Sequence, residues 1–116
     1  MVKYRVLNDT FGALSHPTRR AILARLEREP SVSVSALAQP LAIKLPAMLK
    51  HLDVLSDARL IRRSKVGRTV TVQLSPRPLR DAVHWLDRYR RFWSVRLDRL
   101  AAYAQAKESE ARARGR

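Results

Sequence analysis

Apolar positions recur along this chain at two periods, and each predicts an element. Leu7, Phe11 and Leu14 recur every three or four residues, which predicts a short helix over about 8–14. Ile22, Leu23 and Leu26 predict a second helix from Pro17 to about Arg28, since proline costs no hydrogen bond in a first turn. Ser33 is a candidate N-cap for a third helix holding Val34, Leu37 and Leu41. A fourth is expected over 45–58, where Leu45, Met48, Leu52 and Leu55 are spaced as one buried face. Pro46, Lys50, Asp53 and Asp57 then take the opposite face, with Ala47, Leu49 and His51 on the flanks.

The period changes to two after Leu60. Val70, Val72 and Leu74 alternate with Thr69, Thr71 and Gln73, so 60–66 and 69–74 read as paired strands. Gly67-Arg68 between them suits a tight turn whose first position needs a positive φ. No Pro or Gly occurs from Leu79 to Arg114. Leu79, Val83, Leu86, Trp93, Leu97, Leu100 and Ala104 keep a helical spacing, interrupted at Arg90, and predict a helix over 78–106. The segment 107–116, KESEARARGR, has no apolar pattern and reads as a disordered basic tail. The expectation is therefore one domain over 1–106, mainly α with a small β-hairpin. Its order is two helices, an optional short strand, two helices, two strands and a long last helix.

A length of 116 residues with 46% hydrophobic positions is a globular composition with room for a single modest core. The formal charge of +14 calls for a polyanionic partner. From Ala58 to Arg80 there is no Asp or Glu, while Arg59, Arg62, Arg63, Lys65, Arg68, Arg77 and Arg80 all fall there. The absence of cysteine excludes disulfides and thiolate metal sites, and fits a cytoplasmic protein. The longest uncharged run, 30–43, is 14 residues long and contains Pro40, too short to cross a bilayer. The opening MVKYRVLNDT lacks the apolar run of a signal peptide. No Ser/His/Asp set, glycine-rich phosphate loop or carboxylate pair suggests an enzyme, and no cofactor is expected.

An amphipathic helix followed at once by a cationic hairpin is a device for reading duplex DNA: the helix enters the major groove and the hairpin holds phosphates. Lys50 can donate to guanine O6 or N7, and His51 can donate from either ring nitrogen. Lys44 and the free N–H groups of the first turn can meet phosphates. Arg62, Arg63, Lys65 and Arg68 are candidates for the backbone or minor groove. Two rival readings remain open at this point. One is a module binding structured RNA or ribosomes, although the hairpin strands carry no aromatic stacking platform. The other is a protein-interaction adaptor, against which the acid-free basic hairpin argues.

Five of the seven aromatic residues, Trp85, Tyr89, Phe92, Trp93 and Tyr103, lie on the last helix. That apolar width exceeds what a domain this small can cover alone, so the helix is expected to pair with a second copy. The expected interface is Phe11 with Leu86, Tyr89, Trp93, Leu97 and Leu100. A two-fold pair would present two reading helices to one face of DNA about one helical turn apart.

FGALSHPTRRAILARL (11–26), VSALAQPL (34–41), LPAMLKHLDVLSDARLI (45–61) and RRSKVGRTVTVQL (62–74) together resemble the ArsR/SmtB family of bacterial winged-helix repressors. HPTRRAIL followed by KHL is the more specific part. WLDRYRRFWSVRLDRL (85–100) looks like the dimerising helix of a branch without metal sites. The resemblance implies a winged helix-turn-helix homodimer, joined through its first and last helices, that represses transcription, often of its own operon, by occupying an operator. It also implies that Leu45, Pro46, Lys50 and His51 lie in the major groove. The full set of candidate DNA contacts is Lys44, Leu45, Pro46, Ala47, Leu49, Lys50, His51, Arg62, Arg63, Lys65, Arg68 and Thr69.

The chain departs from the family pattern in two places, with Lys44 where a small polar cap is usual and Leu49 where Ser or Thr is usual. Leu49 can touch a thymine methyl or turn inward. The cysteines of metal-sensing members are replaced by ALAQPL, and Asp81 is followed two places on by Val83 in place of histidine. No metal site is expected, the weaker alternative being Asp81 and His84 with His16 across a dimer. The effector is not legible.

Overall fold

The computed structural model describes residues 2–115. Helices α1 (Val2–Leu14) and α2 (Pro17–Arg28) are followed by strand β1 (Val32–Ser33) and helices α3 (Val34–Leu41) and α4 (Leu45–Asp57). Strands β2 (Ile61–Val66) and β3 (Thr69–Leu74) precede helix α5 (Arg77–Arg114). The chain divides into two compact units, residues 1–82 and the remainder of α5 from Val83 on.

In the first unit β3 is the middle strand of an antiparallel sheet ordered β1-β3-β2. Val32 pairs with Val72, and β2 pairs with β3 from Ile61↔Leu74 to Val66↔Thr69. The optional strand of the sequence reading is thus present, short, and locked onto the hairpin. Ile22, Leu23 and Leu26 of α2, Leu37 of α3, and Met48, Leu52 and Leu55 of α4 are buried together against Leu60, Ile61 and Val72. Each large side chain so buried stabilises the fold by roughly 1.5–3 kcal/mol. The α3–α4 turn is short because Ala42 caps α3 in the left-handed region (φ 53°, ψ 37°).

A second left-handed residue aims the hairpin. The amide of Arg59 (φ 61°) donates to the Ser56 carbonyl, and that of Leu60 donates to Leu55, both at 2.9 Å. These two bonds close α4 in a Schellman cap and turn the chain straight into β2.

Three expectations need correction. Helix α1 begins at Val2, not near residue 8. Its inward face is Leu7, Thr10 and Ala13, and the buried Thr10 hydroxyl is satisfied by donating to the Val6 carbonyl at 2.9 Å. A threonine on the buried face hid the stripe from an apolar count. Leu45, expected in the buried face of α4, is exposed because it lines a shallow groove open to solvent and lies outside the core cluster. Helix α5 continues to Arg114, past the expected end at Ala106, so most of the segment read as a disordered tail is helical. Apolar spacing registers burial, whereas the helical part of this segment, Ser109 aside, is built of Ala, Glu, Lys and Arg, all strong helix formers. Lys107–Glu110 (3.9 Å) and Arg112–Glu108 (2.8 Å) add same-face ion pairs.

Candidate nucleic-acid interface

Helix α4 presents three distinct strips. Met48, Leu52 and Leu55 are fully buried. Pro46, Ala47, Lys50 and Asp53 are exposed, with Lys50 near the centre of the outer strip. Between them, on the hairpin side, Leu45 and Leu49 are 53% and 40% exposed. Leu49 therefore does not turn into the core. Lys44 holds the N-cap position in extended conformation and makes no side-chain cap bond. The first-turn amides of α4 are thus left to an external acceptor. By contrast α3 is capped internally, Ser33 Oγ accepting from the Ala36 amide at 3.2 Å.

The other flank of α4 is tied down. His51 is half-buried, its ring 4.5 Å from that of His16 and tilted by 49°. Arg19 Nη1 lies 3.3 Å from His51 Nδ1. A guanidinium only donates, so Nδ1 accepts and the proton sits on Nε2. Of the two nitrogens either of which could have donated, Nε2 is thus the one left to do so. Burial, then the neighbouring His16, then the Arg19 charge push its pKa below the usual histidine value. His16 is itself committed, Nδ1 accepting from the Thr18 amide (3.1 Å) as the N-cap of α2.

Arg19 also donates from Nε to the Ala13 carbonyl (2.7 Å) and from Nη2 to Gly12 (3.2 Å), while Arg20 donates to Leu14 (2.8 Å). The two arginines of HPTRRAIL are therefore the C-terminal cap of α1, placed where cations are favoured. The sequence carried no sign of this cluster beyond the spacing of His16, Arg19 and His51.

In the hairpin, Arg62, Lys65, Arg68 and Thr69 are exposed. Gly67 alone of the turn has a positive φ (61°), as its expected role required. Arg63 differs: its Nη1 donates to Asp53 Oδ1 at 2.8 Å. The hairpin carries no acid of its own, yet its strand is pinned by an acid on α4. Arg68 and Thr69 line one shallow groove together with Leu45 and Leu49, so the hairpin turn and α4 share a face.

In the second unit Leu86, Tyr89, Phe92, Trp93, Leu97, Leu100 and Tyr103 are exposed. The Phe92 and Trp93 rings meet edge-on at 5.6 Å, and the Arg96 guanidinium covers Phe92 at 4.4 Å. Phe11, the remaining expected interface residue, is half-buried on α1. Among the described residues no three His, Cys, Asp or Glu side chains gather to hold a metal, and no helix is long and apolar enough to cross a membrane.

A helix-turn-helix domain family matches residues 14–64. The HTH-type transcriptional regulator Rv2034 of Mycobacterium tuberculosis is 38% identical over 110 residues, covering 95% of this chain and 96% of that protein. The transcriptional repressor SdpR of Bacillus subtilis is 30% identical over 80 residues, 69% of this chain and 88% of its own. A crystal structure of an ArsR family transcriptional regulator superposes with a TM-score of 0.71 at 39% identity, covering 78% of this chain and 92% of the other.

Proposed function

The chain belongs to the ArsR family of winged helix-turn-helix transcriptional regulators, and from that premise we propose that it is a repressor acting as a homodimer on a pseudo-palindromic operator. In this reading the protein works in the cytoplasm and can regulate its own operon. The observation that carries it is the shared face: the outer side of the first two turns of α4, with Lys44 and Lys50, opens beside the Arg68–Thr69 turn of an acid-free hairpin. A single surface can then place Lys50 at base edges while Arg62, Lys65 and Arg68 meet phosphates. His51 contributes a single donor from Nε2, held in orientation by Arg19. Arg63 acts chiefly as a brace between hairpin and helix, through Asp53.

The test separates reading from holding. Duplexes are selected from a random pool with the parent protein, and the enriched sequence is titrated in mobility shifts at two salt concentrations. Lys50→Ala is expected to lose discrimination at one position of each half-site, by roughly 5- to 100-fold. Arg68→Ala is expected to weaken all duplexes alike and reduce the salt slope by about one per subunit, about two for the dimer. Parent-like binding by both variants would remove the assignment, and preferential enrichment of structured RNA would replace it.

A further inference from the structure

Leu45 and Leu49 stand one helical turn apart, 53% and 40% exposed, in the middle of a cationic surface. Both could have been polar without disturbing the core, whose α4 contribution is Met48, Leu52 and Leu55. Together with Val34 and Val70 they give the shallow groove beside the hairpin turn an apolar lining, and Ser33, Ser35, Arg68 and Thr69 supply its polar part. Lys44 and Lys50 lie next to the pair in sequence and are exposed. An occupant of this groove must therefore be apolar at the contact and anionic around it.

Duplex DNA offers one such combination in the major groove, the C5-methyl group of thymine between two phosphate chains. We infer that Leu45 and Leu49 read thymine methyl groups, making them specificity-determining residues of α4. A leucine cannot replace the hydrogen bonds of a Ser or Thr to a base edge, so the preference at this position is set by apolar contact. The inference rests on the DNA-binding reading above, and it adds a constraint on the operator: thymine faces this groove in each half-site.

The experiment changes the DNA by one methyl group. The selected duplex is resynthesised with deoxyuridine in place of thymidine, one position at a time and then throughout. The parent is expected to bind the deoxyuridine form roughly 3- to 10-fold more weakly per contacted methyl. A Leu45→Ala/Leu49→Ala variant is expected to bind both forms alike. Its substitutions are at exposed positions, and an unchanged thermal midpoint would show it folded. Equal affinity of the parent for both duplexes would overturn the inference, as would undiminished discrimination by the double variant. Failure to enrich any duplex would sink the DNA-binding reading itself, an outcome distinct from a duplex enriched without methyl dependence.

Discussion

His51 was expected to offer DNA a donor from either ring nitrogen, and the structure ties Nδ1 to Arg19, which leaves Nε2. The difference has a measurable consequence at the residue scale. His16 and Arg19 face His51 from the α1–α2 side, and both oppose a second positive charge there. The folded-state pKa is therefore depressed, while the unfolded chain keeps the ordinary value near 6.5. Between those values the unfolded state binds more protons, so stability falls as pH drops. Above the unfolded value the contribution is complete, and below the folded value the loss is complete. Urea unfolding at pH 7.5, 6.5 and 5.5 is expected to show the parent losing stability over this range. His51→Gln, which offers Arg19 an oxygen that does not titrate, is expected to lose less. Equal losses would show that the cluster does not govern the acid limb.

At the scale of elements, most boundaries were legible because each carries a local signal. Pro17 opens α2, Pro46 lies in the first turn of α4, Ser33 caps α3, and Gly67 sets the hairpin turn. Pro40 is the exception, since it lies inside α3 and cannot donate to the Ala36 carbonyl four residues back. The vacancy is filled from another helix: Arg25 Nη1 of α2 donates to that carbonyl, while its Nε pairs with Glu29 at 2.8 Å. No periodicity could announce this, because donor and acceptor are tertiary partners. The same holds for Arg19 at the end of α1 and for Arg63 on Asp53, cations that a charge count assigns to DNA. Arg25→Met is expected to cost about 1–3 kcal/mol by stranding the carbonyl. Pro40→Ala restores the missing amide donor, so Arg25→Met should cost less in that background. A denaturation cycle over the two positions measures the coupling, and additive effects would refute the substitution of one donor for the other.

For the whole molecule the open question is what covers the second unit. Leu86, Trp93, Leu97 and Leu100 repeat along α5 at helical spacing, and all are exposed in the single chain. A contiguous apolar strip of that length is rare on a stable monomer, and self-pairing about a two-fold axis is the commonest way to bury one. The sequence showed this strip through its aromatic count, yet it could not show the partner, because an unpaired face and a paired one have the same residues. Leu97→Glu puts a carboxylate into the expected apolar interface from each chain and leaves the core of residues 1–82 untouched. The parent is expected to sediment at twice the chain mass at micromolar concentration, and the variant at the chain mass. The DNA consequence then follows from geometry. A dimer engages both half-sites for one association cost, so the parent should prefer the full palindrome to an isolated half-site by 100-fold or more, on the order of a linked second contact. The variant should bind full and half-sites alike, with about half the salt slope. A parent that sediments as a monomer, or a variant that keeps the palindrome preference, would leave α5 without a role in operator recognition.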